Sequence, residues 1–284
     1  MGSNMTSTGP PTDSPRKVLP DELTDGFQQI GLREGDSVML HASLDGFGSV
    51  DGGAAMVLHR LLGVLGKKGT LLMPTFTSIT RHSGTHNNYT SHGCWCEGKE
   101  NRHVPFIPEL QPDKAIGPIA HRLCSWPASR RSRHPAYSFV AVGRQGDDLV
   151  REHELLNPLL PVKKFLKQDP KVVTAGVSLD SVTSIHLAEE AKSPNKFVKE
   201  RALTVTSQGQ VWLDVLAIGC SAGFGKLGTY LTQEKVRETK IGLAAVRGYP
   251  MRSLIEDAKS LLGKNPRALT CDNEECLSCA LAGC

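Results

Sequence analysis

The segment Val172–Glu190, VVTAGVSLDSVTSIHLAEE, decides the fold and carries the strongest chemical signal in the chain. It opens with Val172–Val177, a short, apolar, β-branched run that predicts a buried strand. A helical spacing of apolar residues follows, with Asp180 or Ser181 at the predicted N-cap. His186 is therefore predicted one or two turns into a helix that faces the carboxyl end of a sheet. Open α/β sheets bind their ligands at that edge.

Two carboxylates follow His186 at helical spacing. Glu189 lies three residues further along the chain and Glu190 four, so one of them can share the face of His186. A carboxylate beside an imidazole orients the ring and stabilises its protonated form, as a general base requires. A hydrogen-bonded core histidine followed by a solvated acidic helix end gives the same spacing. The pattern alone therefore leaves both interpretations open.

Length, charge and hydropathy narrow the class of protein. The 284 residues are expected to form one α/β domain with extensions. The net charge is +4, and the densest basic group, residues 130–133, is too short to indicate nucleic acid. No apolar run approaches the roughly 20 residues of a membrane span, and no signal-peptide pattern opens the chain. These features favour a cytoplasmic protein with neither nucleic acid nor membrane as a partner.

The apolar patterns divide the chain into three parts. Residues 1–18 are predicted to be a disordered tail, 19–270 the folded domain and 271–284 a cysteine-rich tail. Predicted helices and strands alternate through the domain, which indicates an α/β fold. The predicted helices are Leu19–Ile30, Ala54–Leu65, Ala115–Leu123, Leu149–Leu156 and Pro250–Leu262. Further strands are predicted at Ser37–His41, Gly69–Thr75, Tyr137–Val142 and Val211–Gly219.

The loop Ala42–Gly53 is a candidate anion-binding loop. It contains four glycines, which let the backbone come close to a ligand, and it leads into a predicted helix. Backbone N–H groups at a helix start, with Ser43 and Ser49 nearby, suit a phosphate or pyrophosphate. The glycine spacing fits neither the Rossmann fingerprint nor the P-loop, so an ordinary turn is an equal alternative.

The cysteines of the C-terminal tail predict a structural zinc ion. Cys276 and Cys279 form a C-x-x-C pair, whose two thiolates can reach one tetrahedral ion. Cys271 lies five residues before the pair and Cys284 five after it, and Cys220 is the best distant candidate for a fourth ligand. A weaker group of ligands lies in the long polar stretch between residues 78 and 113: His92, Cys94 and Cys96. A tail of reduced thiols is the alternative.

Four segments, in order, resemble the aminoglycoside 3-N-acetyltransferase family of acetyl-coenzyme A-dependent enzymes. Residues 38–75 resemble its first strand, cofactor loop, helix and second strand. Arg131–Gly143, RSRHPAYSFVAVG, resembles the family segment R-S-x-H-P-x-x-S-F. Thr183–Glu189, TSIHLAE, is similar to T-x-x-H-L-A-E, and Met251–Leu262 fits the C-terminal helix. The resemblance covers roughly residues 20–270.

The resemblance implies a single α/β domain with a central mixed sheet flanked by helices, unlike the GCN5-type acetyltransferases. It implies transfer of an acetyl group from acetyl-CoA to an amine, with His186 as general base. Glu189 is the first choice for the carboxylate that orients His186, Asp180 the second, and Thr183 is a candidate donor to the oxyanion. The implied cofactor-binding residues are His41, Ser43, Leu44, Ser49, Val50, Gly52, Gly53, Pro74 and Thr75.

Two departures from the family pattern concern the acceptor. Many aminoglycoside-modifying members have a histidine before a Ser-Pro pair where this chain has Leu156-Asn157-Pro158. Those members also have acids, which help to bind a polycation, where Leu213–Gly225 here has only Asp214. We therefore expect an aminoglycoside-like antibiotic amine as substrate, with weak or narrow activity, and we leave homodimer formation open. The alternatives are a same-fold acyltransferase acting on another amine and a zinc-stabilised binding protein without catalysis.

Overall fold

The computed structural model describes residues 16–82, 103–192 and 197–280. Its helices are α1 (Pro20–Gln29), α2 (Gly53–Leu65), α3 (Pro118–Cys124), α4 (Gly146–Val150), α5 (Leu160–Phe165), α6 (His186–Lys192), α7 (Met251–Lys264) and α8 (Leu277–Ala280). Its strands are β1 (Ser37–Ala42), β2 (Thr70–Pro74), β3 (Arg81–His82), β4 (Arg130–Arg131), β5 (Phe139–Gly143), β6 (Lys171–Ala175), β7 (Lys199–Thr206), β8 (Gly209–Leu216), β9 (Arg237–Ile241) and β10 (Ala244–Pro250). Within these ranges no helix combines the length and the apolar character needed to cross a membrane.

A seven-stranded mixed sheet forms the centre of the molecule, in the order β4-β5-β2-β1-β6-β10-β9. Strands β2, β1 and β6 are parallel, and the remaining pairs are antiparallel. The predicted α/β domain with a central mixed sheet is thus confirmed. The carboxyl ends of β1 and β6 lie at the same edge, where the glycine-rich loop and the His186 segment both begin.

Both faces of the sheet are covered by helices, so its inner strands are apolar on both sides. Side chains alternate along β1: Val38 and Leu40 pack with α1, α2 and α3, whereas Met39 packs with α4 to α7. The same alternation places His41 on the face of Met39. The sheet therefore separates two hydrophobic cores, and the second of them surrounds the start of α6.

The strand predicted at Val211–Gly219 belongs to a different sheet from the one expected. It is β8, Gly209–Leu216, which pairs antiparallel with β7 in a small sheet of order β3-β7-β8. The two strands form a tight hairpin, with Thr206 paired to Gly209. Strand β7 has few buried side chains, so hydrophobic periodicity gave little signal for it.

Two predicted helices differ from the observed ones. The helix expected at Leu149–Leu156 ends at Val150, because the residues that follow are mainly polar and the chain turns towards α5. His186 is the first residue of α6 rather than one or two turns into it. Two short 3-10 turns precede it, and Ser178, not Asp180, caps the first of them through its side chain. Val182 between the turns is extended, which prevents one continuous helix.

Both predicted tails contribute to the fold. Val18, expected in the disordered tail, is buried and forms a parallel bridge with Val50. Residues 271–280 at the other end pack against the domain, with Cys276 and Cys279 buried. The folded part therefore extends beyond 19–270 in both directions.

Candidate active site

The loops that follow β1 and β6 meet backbone to backbone. Ser43 N–H donates to the Ala175 carbonyl at 3.0 Å. A Cβ added to Gly46 would lie 2.7 Å from the Cα of Gly176, closer than two such atoms can pack. Glycine at both positions is what lets the predicted cofactor loop lie beside the segment that leads to His186.

His186 and Glu189 form a buried pair in α6. The imidazole Nδ1 lies 2.6 Å from Glu189 Oε2, and both residues are only 2–3% exposed. A carboxylate beside Nδ1 accepts a hydrogen bond from the Nδ1–H, so Nε2 is the nitrogen at which a neutral imidazole accepts a proton. Asp180, the second choice for the partner, instead accepts hydrogen bonds from Gly225 N–H and Ser178 Oγ.

Two aromatic rings flank the imidazole, and no sequence pattern predicts either contact. The ring centroid of Phe224 lies 4.7 Å from that of His186, and the centroid of Phe197 lies 6.4 Å away. Both rings meet the imidazole edge to face, the geometry that aromatic quadrupoles prefer. Neither phenylalanine belongs to a periodic apolar run, so only the tertiary fold reveals the contact.

Buried polar atoms lie near the predicted catalytic residues. Thr183, the candidate oxyanion donor, is buried in the turn immediately before α6. The neighbouring Ser184 Oγ and the His41 Nε2 are buried without a hydrogen-bond partner among the described residues. Burial lowers the pKa of His41 to about 3, so its imidazole is neutral at pH 7. Such atoms are few in folded proteins, and a water, an ion or a ligand can supply their hydrogen bonds.

The start of α2 offers room for an anion. Gly52 and Gly53 both have positive φ, 75° and 57°, which glycine adopts without strain. A Cβ added to Gly53 would meet no described atom within 4 Å. The N–H of Gly53 itself donates to the Val50 carbonyl at 3.1 Å. Open space beside the positive dipole end of a 13-residue helix fits a phosphate.

The remaining loop residues predicted to hold the cofactor shape the loop. Ser43 Oγ accepts the N–H of Gly46 at 3.2 Å. The Ser49 carbonyl accepts the N–H of Val18 at 2.7 Å, beside the Val18–Val50 bridge. Leu44 and Val50 are half-buried and pack against the core under α2.

Pro74 and Thr75 lie at the end of β2 in a hydrogen-bonded network. Thr75 Oγ1 lies 3.0 Å from Ser138 Oγ and accepts from Arg131 Nε at 3.2 Å. Arg131 Nη2 also donates to the Thr75 carbonyl. These contacts give Thr75 a structural role, and its contact with a cofactor stays a prediction.

The histidine of the R-S-x-H-P segment is held inside the protein. His134 is fully buried, accepts the N–H of Tyr137 at Nδ1 and donates from Nε2 to the Leu155 carbonyl. His153 packs on its ring and bonds Ser132 Oγ at 2.9 Å. Desolvation lowers the pKa of His134 to about 4 and that of His153 to about 2. These contacts favour a structural role for His134 over contact with a ligand.

The four predicted zinc ligands come together in space. The sulfurs of Cys220, Cys271, Cys276 and Cys279 all lie within 4.8 Å of one another. Both Cys276 and Cys279 are buried, Cys276 immediately before the short helix α8 and Cys279 within it, and Cys220 lies in the loop after β8. Cys284 and the weaker group at residues 92–96 lie outside the described residues.

Comparison with known proteins assigns the family. The sequence profile of the aminoglycoside 3-N-acetyltransferase family matches residues 39–263. The chain is 26% identical over 243 residues to the SPbeta prophage-derived aminoglycoside N(3')-acetyltransferase-like protein YokD of Bacillus subtilis, covering 84% of this chain and 89% of that protein. It is 34% identical over 180 residues to aminoglycoside N(3)-acetyltransferase III of a Salmonella species, and that alignment spans 61% of either chain.

Solved structures agree with this assignment. The YokD crystal structure matches with a TM-score of 0.76 at 26% identity, covering 88% of this chain and 100% of that one. AAC-IIIb, solved as a binary complex with CoASH, matches with a TM-score of 0.73 at 20% identity, covering 88% and 97%, and supports the fold alone. The chain therefore belongs to the aminoglycoside 3-N-acetyltransferase family. It is accordingly an enzyme, an N-acetyltransferase, and the resemblance of the four segments is confirmed.

Proposed function

We propose that this N-acetyltransferase transfers the acetyl group of acetyl-CoA to an amine of an aminoglycoside-like antibiotic, with His186 as general base. The observation that carries the proposal is the buried contact of 2.6 Å between His186 Nδ1 and Glu189 Oε2. The pair follows the carboxyl end of β6, at the edge of the sheet where the glycine-rich loop also begins. A base and a cofactor loop at one edge are what acetyl transfer requires.

The chemistry follows from the state of the amine. An ammonium group cannot attack a thioester until its proton has left, and a neutral imidazole can accept that proton near neutral pH. His186 would take the proton at Nε2 while Glu189, at Nδ1, holds the ring and stabilises the imidazolium. The amine nitrogen would then bond the acetyl carbon as the C–S bond breaks, and the nitrogen's second proton would go to the leaving sulfur, so that coenzyme A leaves as the thiol. Thr183, Ser184 or backbone N–H groups would meet the carbonyl oxygen as it gains charge.

The cofactor would lie along the loop from Ser43 to Gly53. The open space at Gly53 and the helix start of α2 fit the pyrophosphate. Acetyl-CoA would supply the activated acetyl group, and a protein of the same fold, AAC-IIIb, has been solved with CoASH. The cytoplasm supplies acetyl-CoA and keeps cysteines reduced, so we place the activity there.

The ion pairs of two acidic residues support a narrow range of acceptors. Glu190 pairs with Lys163 at 2.7 Å, and Lys163 also donates to Asn157 Oδ1. Glu200 pairs with Arg81 at 3.1 Å. Carboxylates that are already neutralised attract a polycation weakly. We therefore expect slow acetylation of a few aminoglycosides or efficient acetylation of an amine with fewer charges.

The test measures acetyl transfer from acetyl-CoA to a panel of aminoglycosides and simpler amines. The release of the coenzyme A thiol reports the rate. The His186→Ala variant should lower kcat by about 10²–10⁴-fold, the usual contribution of a positioned base. The exposed His59 lies on α2, so His59→Ala serves as the matched control and should keep its activity. A folded His186→Ala protein with normal turnover would remove His186 from the mechanism.

The panel also separates the alternatives. Efficient acetylation of several unrelated aminoglycosides would contradict the narrow-acceptor proposal. Transfer only to an unrelated amine would establish the same-fold acyltransferase acting on another substrate. Coenzyme A binding without transfer to any amine would favour the non-catalytic binding protein.

We also propose that the four clustered cysteines hold a structural zinc ion. Zinc bound to four thiolates at about 2.3 Å sets the sulfurs about 3.8 Å apart, so the cluster needs to contract only slightly. Burial raises the pKa of the Cys276 thiol, which disfavours a thiolate there unless a cation stabilises it. Four protein ligands leave no open position for a substrate, so the ion would stabilise the fold without joining the reaction.

Elemental analysis tests the zinc site. Protein purified without added metal should contain about one zinc per chain, and Cys276→Ser/Cys279→Ser should lose it together with thermal stability. The half-buried Cys124 lies outside the cluster, so Cys124→Ser is the control and should keep its zinc. Metal-free protein with unchanged thermal stability would end this proposal.

A further inference from the structure

One short stretch of chain connects the cysteine cluster to the candidate base. Residues 220–226, which we call the bridging segment, follow β8 and lie between the C-terminal tail and α6. Cys220 opens the segment: its sulfur belongs to the cluster, and its N–H donates to Ser278 Oγ in α8 at 2.9 Å. The segment is thus attached at its first residue to the part of the tail that carries the other cysteines.

The bridging segment also contacts the C-terminal tail at later residues. A Cβ added to Gly223 would lie 2.3 Å from the Thr270 carbonyl oxygen, so backbone packs directly on backbone there. Lys226 Nζ donates to the same carbonyl at 2.8 Å and to Asp272 Oδ1 at 2.6 Å. A movement of the tail must therefore move the bridging segment with it.

The opposite side of the bridging segment faces the candidate active site. Phe224 is fully buried, and its ring lies 4.7 Å from the His186 imidazole at an angle of 62°. The N–H of Gly225 donates to Asp180 Oδ1 at 2.6 Å, in the first turn after β6. The same few residues therefore touch both the tail and the ring that would carry the proton.

We propose that Phe224 is a positioning residue for His186 and that metal bound to the cysteine cluster fixes its place. Loading the cluster would then raise turnover in a site whose substrates the metal never contacts. This proposal rests on the proposed roles of His186 and of the four cysteines, and it adds a link between them. A displaced imidazole would lower kcat, because proton transfer needs the base within hydrogen-bond distance of the amine.

The first experiment compares Phe224→Leu with Phe165→Leu. Both phenylalanines are fully buried in the same hydrophobic core, so the two substitutions remove similar packing, but Phe165 lies in α5. Phe224→Leu should lower kcat by about 10- to 100-fold with little change in the acetyl-CoA KM. Phe165→Leu should lose stability while it keeps kcat. Equal kcat values in the two variants would overturn the positioning role.

The second experiment follows the imidazole itself and needs no substrate. Nitrogen NMR of the histidine side chains, with the His186 signals assigned by their loss in His186→Ala, reports the tautomer and order of that ring. Protein stripped of metal by a chelator should show shifted or broadened His186 signals, which return with about one added Zn²⁺ per chain. Kcat should fall and recover in parallel.

Cysteine variants supply the controls for the metal titration. Cys276→Ser/Cys279→Ser should show the stripped-protein spectrum and no response to Zn²⁺, whereas Cys124→Ser should respond as the wild type does. His186 signals that stay the same when the metal is removed and added back would overturn the proposal. A chain that takes up no Zn²⁺ would overturn it as well. Failure to acetylate any amine would instead count against the proposed reaction, since the NMR response does not depend on turnover.

Discussion

At the scale of single residues, the pair of His186 and Glu189 shows what spacing can and cannot predict. The three-residue separation predicted the partner, because residues three apart share a helix face. It did not predict the depth of burial, which leaves the pair 2–3% exposed. Nor did it predict the aromatic rings around the imidazole, because Phe197 and Phe224 come from segments outside α6.

The charge of Glu189 can be tested without changing its shape. Glu189→Gln keeps a polar group near Nδ1 but removes the negative charge that stabilises the imidazolium, so kcat should fall by at least about 10-fold. The neighbouring Glu190 pairs with Lys163, which makes Glu190→Gln the matched control with near-normal kcat. Steady-state kinetics with saturating acetyl-CoA measures both. Equal kcat for the two variants would show that the carboxylate beside the imidazole is dispensable.

At the scale of elements, burial decides which strands a sequence reveals. Strand β6 is covered on both faces and reads as an apolar run, so it was predicted within one or two residues. Strand β10 contains Gly248 and Pro250, so its sequence is typical of a turn and not of a strand. Glycine suits that position, because a Cβ there would lie 3.1 Å from the Ile30 carbonyl oxygen at the end of α1, tighter than an ordinary contact. Only the packed structure shows this close approach.

The junction of the glycine-rich loop with α2 carries the prediction for the cofactor. Gly53→Asp would place a carboxylate in open space beside the proposed pyrophosphate, and like charges at such a distance repel by about 1 kcal/mol or more. The acetyl-CoA KM should therefore rise by about 10-fold. Gly53→Asn is nearly isosteric, tolerates the same positive φ and carries no charge, so it should raise the KM far less. An equal KM in the two variants would mean that no phosphate lies at this helix start.

At the scale of the whole molecule, buried neutral histidines make stability depend on pH. Their folded pKa values, about 3 for His41, about 4 for His134 and about 2 for His153, lie below the 6.5 of an unfolded histidine. Below pH 6.5 the unfolded chain therefore binds protons that the folded protein does not, and stability falls as the pH drops. Each histidine should lower the free energy of unfolding by about 2 kcal/mol at pH 5 relative to pH 7.

Urea denaturation at pH 7.5 and pH 5 measures this loss. The difference between the two pH values should be smaller in His153→Gln, which removes one buried titrating group, than in the wild type. The exposed His59 lies on α2, and His59→Gln should leave the difference unchanged. A wild-type protein equally stable at both pH values would show that these histidines are protonated in the folded state or neutral in both.

The bridge between Val18 and Val50 limits where the chain can be shortened or fused to a partner. The N–H of Val18 donates to the Ser49 carbonyl, its own carbonyl accepts the N–H of Asp51, and its side chain is 3% exposed. Cleavage after this residue would remove one edge of the loop proposed to hold coenzyme A, even though every residue of that loop remained. A purification tag with its protease site therefore belongs ahead of Arg16, whose guanidinium pairs with Glu22 at 2.7 Å.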